Sequence, residues 1–188
     1  MGTRGSALAL WQARWVVDRL RSHHPDIPFQ TVEIHTEGDR KSEVPLHRAG
    51  DTGLFVKELE YALLNNEVEL AVHSLKDMPS RMPPQLAIAA VPEREDPRDS
   101  LISQRNLSLA QLPAGACVGT GSPRRKAQLL ALRPDLNVVS IRGNVDTRLR
   151  KLRGGDYEAI ILAAAGLIRL QQDGQVTEFL CPVVMLPA

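Results

Sequence analysis

The chain has 188 residues, 43% of them hydrophobic and 24% charged, with 4% aromatics and a formal net charge of +1. That length and composition suit one sizeable core or two small ones and exclude a disordered chain. No run approaches the roughly 18 apolar residues that a membrane span needs, and Arg4, Gln12 and Arg14 interrupt MGTRGSALALWQARWVV, which is therefore unlike a secretory segment. The expectation is a globular, cytoplasmic protein. Cys117 and Cys181 lie 64 positions apart with no CxxC, and the five histidines show no ligand spacing, so neither a disulfide framework nor a metal site is expected. Cys117, inside an apolar segment, is expected in the core.

Residues 7–21 carry Leu8, Trp11, Trp15 and Leu20 at helix-compatible positions behind Ser6, a suitable N-cap. Residues 29–36, FQTVEIHT, alternate like a strand. After a polar, glycine-containing loop over 37–53, helical spacing returns in LFVKELEYALL at 54–64. Residues 69–73 then read as a buried strand ending in Ser74, Leu75, Lys76 and Asp77, and residues 86–91 as another apolar strand. The charged, proline-containing PEREDPRDS reads as a crossing between domains, giving a first domain over 1–92, a hinge over 93–99 and a second domain over 100–186. Beyond the hinge, strands are expected at 116–119, 138–141 and 159–163, and helices at 123–133, 145–152 and 164–171. This alternation predicts two α/β units with parallel-type strands, whose ligands sit beyond the strands' carboxyl ends.

The positive charge is concentrated. Residues 119–153 hold nine Lys or Arg against Asp135 and Asp146, a local charge of +7, so the remainder of the chain sums to −6. Charge alone is equally compatible with a solvated helix face. Position adds to it: Ser122 and Pro123 suit an N-cap and first turn, and Arg124, Arg125 and Lys126 then oppose the helix macrodipole at its positive end. An anion on the free N–H groups would relieve that conflict. The preceding Gly119, Thr120 and Gly121 form a turn that lets a ligand approach the backbone closely.

Seven segments, MGTRGSALALWQA, GLFVKELEYALL, AVHSLKDMP, EREDPRD, GTGSPRRKAQL, SIRGNVDTRLRKL and AIILAAAGLIRL, together resemble the porphobilinogen deaminase, or hydroxymethylbilane synthase, family across nearly the whole chain. The resemblance implies a transferase of heme biosynthesis. It would deaminate porphobilinogen and join four units head to tail on a covalently held dipyrromethane cofactor. It also implies two domains of type 2 periplasmic-binding-protein-like topology. Each pyrrole carries an acetate and a propionate, so the cleft would hold up to about twelve carboxylates and need many fixed cations. On the family pattern, Arg4, Ser6, Lys76, Thr120, Ser122, Arg124, Arg125, Arg142, Arg148 and Arg169 would bind carboxylates of cofactor or substrate. Asp77 would stabilise the cationic azafulvene left by loss of ammonia and assist proton transfer. Read from its neighbours alone, Asp77 could equally cap the following turn or pair with Lys76. Asp39, in TEGD, matches a recurring family acid of less defined role.

Family members normally continue into a third, α+β domain whose cysteine anchors the dipyrromethane, and they open with a further strand before GTRGS. The expectation is a two-domain chain, with 187–188 the start of the return to the first domain, a shortened first-domain sheet and little or no activity alone. Family members are monomers, and exposed sheet edges would allow an oligomer. Neither Cys117 nor Cys181 matches the anchoring cysteine. Gly121 stands where the family usually has serine, and Thr52 where a lysine-containing pattern is usual, each removing a potential anion contact. Two other readings remain. A non-catalytic polycarboxylate-binding protein of solute-binding type shares the two-domain outline, though HSLKD and the absence of a secretion signal argue against transport. Nucleic-acid binding is poorly supported, because few aromatics are present to stack bases and the charge outside the basic segment is negative.

Overall fold

The computed structural model describes residues 1–36 and 56–188. The loop expected at 37–53, with Asp39 and Thr52, and the first two residues of the helix expected at 54–64 lie outside the described residues. The chain divides into two compact units, Met1–Pro92 and Glu93–Ala188. Among the described residues no helix is long and apolar enough to cross a membrane.

In the first unit, β1 (Gly2–Thr3) runs parallel to β2 (Val32–Glu33), with Gly2 opposite Val32 and Thr3 opposite Glu33. On the other side, Gly2 bridges Ala71 in parallel, its N–H donating to Leu70 O at 2.7 Å. Helix α1 (Ala7–His23) begins as the sequence suggests: the Ser6 hydroxyl accepts from the Ala9 N–H at 3.3 Å, a cap worth about 1 kcal/mol. Thr3, fully buried, donates its hydroxyl to the carbonyl of Ala9 at 3.1 Å and ties β1 to the first turn of α1. Helix α2 (Lys57–Leu64) buries Leu59 and Ala62 and places Glu58 and Glu60 in its first turn, where acids suit the macrodipole.

Three strand expectations here need correction. Of residues 29–36 only β2 pairs, residues 69–73 supply a single bridge at Ala71, and residues 86–91 form no strand, with Ile88 and Val91 half or more exposed. Apolar alternation marks a segment able to join a sheet; a strand forms only where a neighbour completes its ladder. Among the described residues that ladder is short.

The second unit is built on a five-stranded sheet in the order β5-β4-β6-β3-β7, comprising β3 (Asp99–Ser103), β4 (Cys117–Gly119), β5 (Asn137–Val139), β6 (Ala159–Ala163) and β7 (Glu178–Phe179). Strand β4 is parallel to β5 and β6, whereas β3 is antiparallel to β6 and to β7. The architecture is thus mixed α/β, and the all-parallel expectation holds only for β4, β5 and β6. Alternation along β3 and β6 sends Leu101, Ala159 and Ile161 to one face, where Leu129 of α3 (Pro123–Leu132) packs. It sends Ile102, Ile160 and Leu162 to the other, against α4 (Val145–Arg153) and α5 (Ala164–Arg169) through Leu149, Leu152 and Leu167. Cys117 is only partly buried, against expectation, and burial with the nearby Glu158 carboxylate pushes its thiol pKa up.

Candidate functional site

In the first unit, Arg4 follows β1 directly, and Asp77 ends a 3-10 turn over Leu75–Asp77 rather than capping a later one. The turn is closed by Asp77 N–H donating to Ser74 O at 2.9 Å, and it is tied to α1 by the Ser74 hydroxyl donating to Gln12 Oε1 at 3.1 Å. The ion partner of Asp77 is Arg4, Nη1 to Oδ2 at 3.8 Å, with the two side chains 15% and 23% exposed. At that separation the pair is Coulombic and not a hydrogen bond, which leaves the Asp77 oxygens able to accept from another donor. Lys76 projects from the turn as an exposed residue, and Ser6 spends its hydroxyl oxygen on the helix cap.

His73 lies just ahead of the turn. Burial pushes its pKa down, the Asp77 carboxylate partly offsets that, and the Arg4 guanidinium adds to it. A histidine with a lowered folded-state pKa resists the proton that the unfolded chain accepts near 6.5, so stability is full above that pH and falls as pH drops through it. The urea midpoint should therefore fall between pH 7.5 and 5.5, and His73→Gln should flatten that decline. An unchanged slope in the variant would assign the pH dependence to other groups.

In the second unit the carboxyl ends of β4 and β5 lead to the basic segment. Thr120, buried, accepts from the Ser122 N–H at 3.2 Å, and Ser122 caps α3, its hydroxyl accepting from the Arg125 N–H at 3.4 Å. Both hydroxyls therefore shape the turn. Arg124 and Arg125 converge on Asp99, the first residue of β3 and almost fully buried. Arg124 Nη2 donates to its two oxygens at 3.1 and 2.8 Å, and Arg125 Nε donates to Oδ1 at 2.9 Å. Arg124 Nη1 also donates to the carbonyl of Leu186, and Arg125 Nη1 to that of Ile161 at 3.4 Å.

Arg148 reaches back from α4 and donates Nε to the carbonyl of Gly143 at 2.7 Å. Gly143 has φ +107, and a side chain there would press its Cβ to 2.6 Å from Thr147 Cγ2, so glycine is required for the carbonyl that anchors Arg148. Burial lowers the Arg148 pKa, and the guanidiniums of Arg125 and Arg142 lower it further. Three cations are crowded together, and among the described residues no carboxylate pairs with Arg148. At Gly121 an added Cβ would meet the Ile141 carbonyl at 3.0 Å and Arg148 Nη2 at 3.9 Å. A side chain at position 121 would thus lie beside this guanidinium. Arg169 closes α5 with its Nε buried.

The structure therefore joins Arg4 with Asp77 in one unit and gathers Thr120, Ser122, Arg124, Arg125, Arg142 and Arg148 in the other. Sequence reasoning assigned no role to Asp99, although EREDPRD contains it, because the charged run read as hinge. It also passed over His73 and Gly143. Among the described residues no group of three potential ligands could hold a metal ion.

The chain is 52% identical over 188 residues to the porphobilinogen deaminase of Brevibacillus brevis and 54% identical over 190 residues to that of Bacillus subtilis, in each case across all of this chain and 61% and 60% of the relative. A similar protein of the same name from Roseiflexus sp. is 54% identical over 188 residues, of which 62% of its length is covered. The chain thus spans about three fifths of the length of the curated relatives it matches. The family described as "Porphobilinogen deaminase, dipyromethane cofactor binding domain" matches residues 1–188, and the chain belongs to it.

Proposed function

We propose that these residues handle the pyrrole chain of a cytoplasmic hydroxymethylbilane synthase of heme biosynthesis, binding dipyrromethane, porphobilinogen and the growing polypyrrole through their carboxylates. The observation that carries this is the crowding of Arg125, Arg142 and Arg148, which adds to burial in lowering the Arg148 pKa and which a bound polyanion would relieve. A dipyrromethane bearing two acetates and two propionates fits the donor set, because planar guanidinium forks suit carboxylates. Arg148, Arg142 and the remaining edges of Arg124 and Arg125 would hold it. When bound, that cofactor supplies a pyrrole carbon nucleophile to the first porphobilinogen.

On this reading Arg4 and Asp77 do different work. The Asp77 carboxylate, held by the 3-10 turn and only loosely paired to Arg4, accepts from pyrrole N–H groups. It offsets the positive charge that develops on the pyrrole as ammonia leaves, and it takes part in the proton transfers around carbon–carbon bond formation. Arg4 holds that carboxylate in place through their ion pair.

The test is calorimetric titration of the chain with synthetic dipyrromethane tetracarboxylate and with its tetramethyl ester. Micromolar binding of the acid that weakens steeply with salt, and none of the ester, is expected. Equal binding of both would overturn the carboxylate reading. A non-catalytic polycarboxylate binder would share the arginine cluster, and conversion of porphobilinogen by an enzyme carrying this chain excludes it.

A further inference from the structure

Asp99 pairs with Arg124 and Arg125 of the basic cluster, and its position follows from topology. Strands β4, β5 and β6 present their carboxyl ends to the start of α3, but β3 runs the other way, so its first residue arrives at that same end of the sheet, opposite Ala163. Only an antiparallel strand places its amino end there. The side chain is 2% exposed, against 29% for Arg124 and 14% for Arg125.

The donors these arginines spend on Asp99 are the ones a ligand carboxylate would use. Arg125 gives it Nε at 2.9 Å and Nη2 at 2.8 Å, the fork edge suited to bidentate recognition. Arg124 gives Nη2 to both oxygens and Nη1 to the Leu186 carbonyl. Arg148, by contrast, commits Nε to a carbonyl and has no carboxylate partner among the described residues. The two kinds of arginine are differently prepared for a ligand.

We propose that Asp99 is a resident counter-ion, an internal carboxylate that occupies Arg124 and Arg125 in the free protein and competes with ligand carboxylates for them. The proposal rests on the reading of this cluster as a polycarboxylate site. Without Asp99 two partly buried guanidiniums would lose their internal anion, which destabilises the free fold. With it, the free fold is stable, and an incoming polyanion must displace the internal carboxylate or bind against its charge. Asp99 thereby caps affinity, which lets a lengthening pyrrole chain shift its carboxylates from one guanidinium to the next.

The discriminating result is a pair of opposite signs. Asp99→Asn keeps the shape and one acceptor oxygen while removing the charge. The free variant should melt several degrees lower than the parent chain and bind dipyrromethane tetracarboxylate roughly tenfold tighter, as expected for removing one like charge within several ångströms at the effective dielectric of a protein surface. A purely structural role would lower the melting temperature without tightening binding. Affinity that is unchanged or weaker overturns the proposal.

Citrate, titrated in parallel, separates this idea from the pyrrole reading. If Asp99→Asn binds citrate more tightly than the parent while neither protein binds the pyrrole acid, the pyrrole reading falls and the counter-ion role stands. If the pyrrole acid binds both proteins equally, the reverse holds; if neither anion binds either protein, both ideas fall. Should the variant not fold, the parent chain decides. The Arg124 and Arg125 Nε–H resonances should move as citrate is added, and resonances that stay fixed while that of Arg148 moves would show Asp99 retaining its arginines.

Discussion

An enzyme carrying Asp77→Asn should lose roughly a thousandfold in kcat for porphobilinogen, the upper range for a group that both transfers protons and offsets developing charge, while KM changes by less than about threefold. Asparagine has the same outline, and the turn that presents residue 77 is closed by backbone hydrogen bonds from Asp77 and Met78 that the substitution does not touch. What disappears is a negative charge paired with Arg4 at 3.8 Å. On the proposed function that charge matters most when the pyrrole becomes cationic, which is a property of the transition state and not of the bound ground state. Single-turnover consumption of porphobilinogen with a parallel binding titration checks it. A loss below tenfold would mean that another group carries the charge stabilisation.

Arg148→Met is expected to act in opposite directions on folding and on binding. The guanidinium is desolvated and crowded by Arg125 and Arg142, so its charged form is disfavoured in the free fold. Methionine keeps most of the stem packed and removes that penalty, and the free chain should gain about 1 kcal/mol. The same change removes a guanidinium left without a carboxylate partner by its neighbours, and affinity for the tetracarboxylate should fall by roughly 10- to 100-fold, the range for a charge-assisted hydrogen bond. Denaturant unfolding and calorimetry on one preparation measure both. A variant that lost stability along with affinity would show Arg148 to be part of the scaffold.

The second unit was more legible in the sequence than the first, and the reasons differ by element. Helix α3 announced itself through Ser122 and Pro123, and β6 matches residues 159–163 as expected, because capping and a run of five apolar residues are local signals. Strand β3 was hidden: its residues 99–103 begin with a buried acid, and a charge that the fold neutralises with two distant arginines looks from the sequence like a solvated one. Its direction was equally hidden, since periodicity carries no sign of whether a neighbour is parallel. In the first unit, residues 86–91 had the apolar composition of a strand and none of the pairing. Sequence motifs found Asp77 and Arg4 separately; their ion pair is a product of β1 and the 3-10 turn meeting in space. The Ser122 and Thr120 hydroxyls, read as ligand contacts, accept backbone N–H bonds that shape the turn, a role their motif did not announce, and their O–H groups remain donors.

The reversed direction of β3 has a consequence for the order in which the second unit takes shape. Its first residue pairs with Ala163, 64 positions later, and its last with Ala159, 56 positions later, so the strand made earliest in this unit cannot complete its central ladder until the chain has been synthesised through Ala163. The helices and the β4-β5 pair close shorter loops and can form before it, since long-range closure carries the larger entropic cost. The contact between Asp99 and the α3 arginines therefore spans a longer stretch of chain than the β4-β5 pairing and carries the larger closure cost.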